Sequence, residues 1–437
     1  MYELTPPRVY AMETVRDDPA CAARMDRMLA AIGWRPDDIV WLEERDLPEA
    51  MMDLLTLWPP QRVPEGRIRS QMRPLVFTRM DFGADRPDVR PLLERCPEGT
   101  PRTLLERICG QFINVLDQHP HLLDQVNNFV CWPTLNVGTV YGCPHGCTYC
   151  GAGREGKALV IGLNLEEYME KVVGPVIEAN PWSKVMRMIF DVTDLPAFEP
   201  EYGLFDLFTR KLAEYEGRWG HFHTSGAHMD WLAGLPHRDR LVGVWTMSCD
   251  EAARDFEPGA PPVVDRYRAA RRCQDMGIPV RFKYKPIIPI RGWREAYAAS
   301  IAQGLQIVRP ESIGFCLYAW NTYESMCHAL NTELLDPDCL DAARRSADEM
   351  KDRRCGPFPH ETRREIYRFF IREVRRRDQD VLLYVSTETR EMWDELKDEL
   401  GQDPRCYVCG CSSVAVPGRR LGLSPGFRFS TYSPTPV

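Results

Sequence analysis

The chain has 437 residues, 44% of them hydrophobic and 27% charged, a balance that suits a globular protein with a sizeable core. Mean hydropathy is −0.37, no apolar run approaches the roughly 18 residues of a membrane span, and Met1 to Arg16 lacks the basic-then-apolar pattern of an export signal, so a cytoplasmic protein with no membrane partner is expected. The formal net charge of −8 argues against obligate binding to a nucleic-acid backbone, where counterion release rewards clustered Lys and Arg.

Residues 1–120 are rich in Pro, Arg and Met, with helical patches at Ala20–Ile32 and Leu104–Leu116, and are predicted to form a separate, mainly helical region. An apolar, β-favouring stretch follows at Leu135–Tyr141. Beyond it, apolar runs alternate with amphipathic ones. Asn164–Ala179 reads as a helix, with Leu165, Tyr168, Met169, Val172 and Val176 at i, i+3, i+4 spacing. Strands are predicted at Val185–Val192, His221–Ser225, Leu241–Met247, Val280–Ile290 and Ser312–Leu317, with helices at Phe205–Tyr215, Pro262–Met276 and Trp293–Ile307 between them. Such alternation implies parallel strands with helical crossovers. The expected fold is therefore α/β, a partial (β/α)6 TIM-like barrel over residues 130–320, with reactive loops at the carboxyl ends of its strands. Residues 321–437 are predicted to form a mostly helical C-terminal region with one strand at Asp380–Val385, a cysteine-rich motif and an extended tail rich in Gly, Ser and Pro.

Sixteen cysteines are many for a chain without an export signal, and in a reducing compartment they read as metal ligands, catalytic thiols or small buried apolar residues. Ten are scattered singly and read as buried small residues, Cys316 and Cys355 among them. Two clusters stand apart. The first, Cys143-Pro-His-Gly-Cys147-Thr-Tyr-Cys150, has C-x3-C-x2-C spacing directly after the first predicted strand. Three thiolates on one short loop suit three irons of a [4Fe–4S] cluster and leave the fourth iron open. A zinc site would normally add a second cysteine pair 12–20 residues away, and none lies there.

This loop is the signature of the radical S-adenosylmethionine superfamily, and further stretches resemble its spore photoproduct lyase branch. They are Thr246-Met-Ser-Cys-Asp-Glu251, Phe256-Glu-Pro-Gly259, Asp265-Arg-Tyr-Arg-Ala-Ala270, Lys285-Pro-Ile-Ile-Pro-Ile-Arg-Gly-Trp293, His360-Glu361, and Glu388-Thr389 with Met392-Trp393. The resemblance covers roughly residues 130–400. It implies that Cys143, Cys147 and Cys150 hold the cluster and that Tyr149, Thr193, Asp194 and Thr246 bind S-adenosylmethionine, with Ser225 in place of a cofactor-contacting lysine. It further implies a low-potential electron donor such as a flavodoxin or ferredoxin. Two other departures bear on the chemistry. Asp191-Val192 stands where the lyases carry a hydrogen-donating cysteine, and Gly151 where they carry a tyrosine. The scaffold reads as kept and the chemistry as changed, towards reductive cleavage of S-adenosylmethionine and radical chemistry on a small-molecule or metabolite substrate rather than DNA. A divergent DNA photoproduct lyase is an alternative.

The second cluster, Cys406-Tyr-Val-Cys409-Gly-Cys411, is too dense for three independent buried residues. Four readings stay open: an auxiliary iron–sulfur cluster completed by Cys355 or a substrate; thiolates that hold a soft substrate such as trivalent arsenic; a hydrogen donor, Cys409 or Cys411, folded over the barrel mouth; and structural zinc or unligated thiols. The second has a precedent in a radical S-adenosylmethionine enzyme of arsinothricin biosynthesis, which transfers the cofactor's aminocarboxypropyl group to arsenic and carries a cysteine-rich C-terminal motif of different spacing.

Three other groups matter. His221, His223 and His228 fit no standard metal spacing and read as core or substrate-pocket residues. Arg281, Lys283 and Lys285 share one face of the fifth strand, where they suit an anionic substrate or the cofactor's carboxylate. Arg364, Arg368 and Arg372 stack at i+4 on a helix and read as a solvated face.

Overall fold

The structure is a computed structural model that describes residues 4–57, 73–83, 88–112, 116–117, 129–130, 134–154, 157–188, 193–404, 407 and 409–418. Its main sheet has eight strands in an open order. Seven are parallel: β1 (Thr134–Val137), β2 (Val185–Met188), β3 (Trp219–Thr224), β4 (Leu241–Met247), β5 (Val280–Ile287), β6 (Ser312–Leu317) and β7 (Leu382–Val385). They neighbour one another in chain order, and Leu116–Asp117 adds an antiparallel edge beside β1. This is the expected α/β partial barrel, with the predicted C-terminal strand added as a seventh parallel member.

The helices follow the apolar periodicity. Leu165, Tyr168, Met169, Val172 and Val176 are all buried along a helical run from Leu165 to Ala179 that contains a π turn at Met169–Val173. Val263–Asp275 and Trp293–Ile307 cover the outer face of the sheet. There Tyr284 of β5 and Phe315 of β6 pack with Phe370, whose ring centroid lies 5.6 Å from Tyr284 and 5.5 Å from Phe315. Because side chains alternate along a strand, this outward packing turns Lys283, Gly314 and Cys316 inward.

The N-terminal region differs from the helical expectation. Val9–Met12, Ile39–Leu42 and Leu75–Thr78 form a parallel sheet, and Leu159–Gly162, from within the expected barrel segment, extends it. These strands are four residues each, too short to show a period against the stronger helical stripes at Pro19–Ala31 and Leu47–Leu57. Among the described residues of the second helical patch, helix ends at Ile108, the close of Arg102–Ile108, and Leu116 opens the short strand Leu116–Asp117. The stretch Leu135–Tyr141 also splits. It leaves the barrel after Val137, and Val140–Tyr141 joins the N-terminal sheet antiparallel to Leu159–Gly162.

The arginine-rich helix is His360–Arg375. Part of its basic face is an interhelical ladder: Arg364 donates to Glu395 at 3.0 Å and Arg368 to Glu399 at 2.7 Å on the helix Arg390–Leu400, while Arg372 is exposed as expected. Among the described residues no helix is long and apolar enough to cross a membrane.

Candidate active site at the carboxyl end of the barrel

The loop Cys143–Cys150 lies at the carboxyl end of the barrel, above a cavity of about 580 Å³. The three thiols line it, together with Tyr149, Thr193, Asp194, Ser225 and Thr246, so the predicted cofactor residues converge on one space. Burial pushes the Cys143 thiol up to about 12 and holds Cys147 well above its ordinary value. Neutral, desolvated thiols of this kind become ligands when a metal takes the place of their protons. Behind them Arg73, fully buried, donates to the carbonyls of Cys143 at 2.8 Å and Ala152 at 2.7 Å and lies within electrostatic reach of all three thiols. Arg73 comes from the N-terminal region, which sequence reading did not connect to the site.

Asp194 organises the opposite wall. Its Oδ2 accepts from His145 Nε2 at 2.5 Å, Thr224 Oγ1 at 3.0 Å and the Ser225 amide at 2.9 Å. Its Oδ1 is buried with no protein partner, and an unpaired buried carboxylate oxygen is costly unless a ligand supplies a donor. Thr193, also in the wall, gives its hydroxyl to the carbonyls of Val140 at 3.0 Å and Gly142 at 2.9 Å, so it holds the entrance of the cysteine loop. Ser225 meets Asp194 through its backbone, not its side chain.

His145 is the main residue that sequence reading passed over. It is buried within the loop, and its other nitrogen, Nδ1, lies 3.0 Å from the Gly259 carbonyl. The imidazole thus ties the cysteine loop both to Asp194 and to the stretch Phe256–Gly259. Residue 259 must be glycine for this contact, because a Cβ there would sit 2.3 Å from the His145 carbonyl oxygen. The same stretch holds Tyr149, whose hydroxyl donates to Glu257 at 2.9 Å. Glu257 forms a buried ion pair with Arg266 at 2.6 Å, and Arg266 donates to the Thr246 carbonyl at 3.3 Å. The motifs that carried the resemblance, Phe256–Gly259 and Asp265–Ala270, therefore form the floor under the cysteine loop. Their spacing from the cysteines gave no sign of it.

The donor set fits an iron–sulfur cluster with one open iron: three thiols, the loop's imidazole already engaged by Asp194 and Gly259, a buried cation behind, and a free carboxylate oxygen facing them. Among the described residues only the ligand atoms of His360, Glu391 and Glu395 gather as a trio within 4.8 Å. The loop thiols are therefore spread wider than ligands of a single ion.

The far wall of the cavity is basic: Arg187, Lys283 and Lys285 line it beside His223, Cys316 and Tyr318–Asn321. Burial and Lys283 hold His223 well below the usual histidine range, and burial with Arg187 does the same for His221 beneath it, whose ring lies 5.1 Å away. Both face the lumen as expected, whereas His228 is exposed. Arg281 differs from expectation. It is fully buried and committed to Glu311 at 2.9 Å and to the carbonyls of Gly410 and Ala415, both at 2.8 Å.

Those contacts locate the second cysteine cluster, of which Cys406 lies outside the described residues. Cys409 and Cys411 do not cover the barrel mouth. Residues 409–418 run across the opposite, amino-terminal end, where the Ser413 carbonyl accepts from the amides of Lys184 at 2.7 Å and Val185 at 2.9 Å. The sulfurs of Cys409 and Cys411 are 3.7 Å apart, and Cys411 lies 3.4 Å from Lys283 Nζ. Donation from Cys409 and the cations Lys283, Lys285 and Arg187 hold Cys411 well below the usual thiol range. Cys355 is elsewhere, beside Glu388 and Arg363, so it does not complete this pair. Asp191-Val192 also falls outside the described residues.

No protein-family profile matches the sequence. Spore photoproduct lyase of Bacillus subtilis (strain 168) is 32% identical over 76 residues, a stretch spanning 22% of that relative's length. Three solved structures of spore photoproduct lyase superpose with a TM-score of 0.57, covering 88% of this chain and 98% of theirs. The chain has the fold of spore photoproduct lyase. The three are a cysteine-to-serine mutant at 13% identity and, at 14%, a complex with dinucleoside spore photoproduct and a mutant with bound AdoMet and the same dinucleoside. The N-terminal region lies largely within this likeness, because the superposition covers far more than residues 130–400.

Proposed function

We propose that this protein is a radical S-adenosylmethionine enzyme acting on a small, anionic substrate. The observation that carries the reading is the pairing, across one cavity, of three loop thiols with the unpartnered Oδ1 of Asp194. Cys143, Cys147 and Cys150 would hold a [4Fe–4S] cluster, which when bound supplies the electron that breaks a sulfonium C–S bond and yields a 5′-deoxyadenosyl radical. Asp194 Oδ1 accepts from the cofactor's ammonium group. His145 and Thr193 fix the loop against the second strand, and Tyr149 is anchored by Glu257 on the adenine side. A flavodoxin- or ferredoxin-type protein is the electron donor.

Three observations favour a small substrate. The cavity volume lies within the roughly 300–1,000 Å³ of ordinary ligand sites. The segment 409–418 closes the far end of the barrel. Arg187, Lys283 and Lys285 offer positive charge to a carboxylate or phosphate inside it, while the chain as a whole carries −8. A DNA lyase reading would instead require duplex binding that weakens steeply with salt.

A second reading follows from the Cys409–Cys411 separation. Two thiolates bound to one tetrahedral ion at ~2.3 Å stand about 3.8 Å apart, close to the 3.7 Å found. Lys283 lines the cavity and lies 3.4 Å from Cys411 Sγ, so a thiophilic acceptor such as trivalent arsenic gripped by that pair would stand beside the cavity, with aminocarboxypropyl transfer as the reaction. Anaerobic cluster reconstitution, dithionite reduction and mass analysis of the cofactor products separate the readings. Deoxyadenosine with methionine is expected. Methylthioadenosine appearing only with arsenite would favour the second reading, and neither product from a protein with full iron content would contradict both.

A further inference from the structure

Cys316 reads in the sequence as one of ten isolated cysteines, yet the fold puts it inside the site. Phe315 points outward to Tyr284 and Phe370, and Lys283 pairs in register with Gly314, so Cys316 faces the lumen one step nearer the cysteine loop. It is 1% exposed. Outside the loop it is the only described cysteine that lines the cavity shared by Cys143, Cys147, Cys150, Asp194 and Thr246. Its sulfur lies 3.5 Å from the Leu317 carbonyl, a weak contact that leaves the S–H hydrogen transferable. Independently, Asp194, 5% exposed and with Oδ1 unpartnered, marks this same cavity as one that receives a ligand.

We propose that Cys316 is the hydrogen-atom donor of this site, an inference that rests on the radical reading above. A carbon-centred radical in the cavity takes the hydrogen of the Cys316 thiol: a C–H bond forms, the S–H bond breaks, and a thiyl radical remains on Cys316. An S–H bond is weaker than an alkyl C–H bond, so the transfer runs downhill. One electron from the low-potential donor that also serves the cluster, with one proton from water, returns the thiyl to the thiol. The donor thus stands on the sixth strand.

The test needs no knowledge of the substrate. Wild-type protein, Cys316→Ser, Cys316→Ala and a Cys409→Ser/Cys411→Ser double variant are reconstituted anaerobically in deuterated buffer. Each is given S-adenosylmethionine and dithionite, and the deoxyadenosine is analysed by mass. The proposal predicts one solvent-derived deuterium in the wild-type product, retention of the label in the double variant and its loss in both Cys316 variants. Deoxyadenosine without label in the wild type, or label persisting in Cys316→Ser, would overturn it. Calorimetric titration with S-adenosylhomocysteine supplies a readout independent of turnover. Unchanged affinity in Cys316→Ser is expected, and a weakened affinity would make Cys316 a binding residue instead. If no form of the protein yields deoxyadenosine, the radical reading itself fails, an outcome distinct from a misplaced label.

Discussion

The two ends of the barrel both gather cysteines, and they treat them oppositely. At the carboxyl end, burial raises the thiols of Cys143 and Cys147, with the buried Arg73 behind the loop. At the amino end, donation from Cys409 and the Lys283 ammonium at 3.4 Å hold the Cys411 thiol well below its usual range. The first set is arranged to receive a metal group that brings its own positive charge. The second has its countercharge built in. What separates an open cluster loop from a closed plug is therefore the placement of cations, not the number of sulfurs.

The largest expected effect comes from removing a sulfur at the carboxyl end. Cys143→Ala, Cys147→Ala or Cys150→Ala should abolish cluster-bound iron and all cleavage of S-adenosylmethionine, measured by iron analysis and product mass, whereas Cys409→Ser/Cys411→Ser should keep the loop's iron. Equal iron loss in both sets would erase the distinction. Next comes the wall opposite. Asp194→Asn removes a charged acceptor worth about 1.5–3 kcal/mol, so the affinity of the reconstituted protein for S-adenosylmethionine should fall roughly 10- to 100-fold by calorimetry. An unchanged affinity would remove Asp194 from the cofactor site.

At the amino end the expected effects are on stability. A Cβ on Gly410 would lie 2.6 Å from Ser312 Oγ and 3.0 Å from the Tyr384 hydroxyl. Gly410→Ala should therefore cost about 1–3 kcal/mol, as overpacking does, seen as a lower denaturation midpoint with the loop's iron retained. Smallest is Lys283→Met. The depressed Cys411 thiol contributes stability that is complete above the unfolded thiol's value of about 8.5 and is lost as pH falls through its lower folded value. Removing the ammonium should shrink that loss on acidification, measured by melting across pH. A pH dependence identical to wild type would show that Lys283 does not hold the thiolate.

Much of this contrast was legible in the sequence at one end and little at the other. The spacing of Cys143, Cys147 and Cys150, the strand–helix alternation and the position of Asp194 after the second strand are local features, and periodicity reads local features well. His145 carries no local sign of its role, because its partners, Gly259 and Asp194, are far away in sequence. Cys316 was one apolar residue in an apolar strand, and the sign that could have found it was the shared alternation with Lys283 and Lys285 on the neighbouring strand. The N-terminal strands were lost to their brevity, and with them the part played by Arg73. The position of residues 409–418 followed from no local pattern, since Arg281 and the start of the second strand fix it from a distance.

The central claim is that three loop thiolates leave one iron open to S-adenosylmethionine. It is tested most directly by electron paramagnetic resonance of the reconstituted, dithionite-reduced protein, recorded with and without S-adenosylmethionine. The account predicts a reduced [4Fe–4S] signal that shifts on adding the cofactor, keeps its intensity in Cys409→Ser/Cys411→Ser, and disappears in Cys147→Ala. A full-intensity cluster signal that the cofactor leaves unchanged would contradict it.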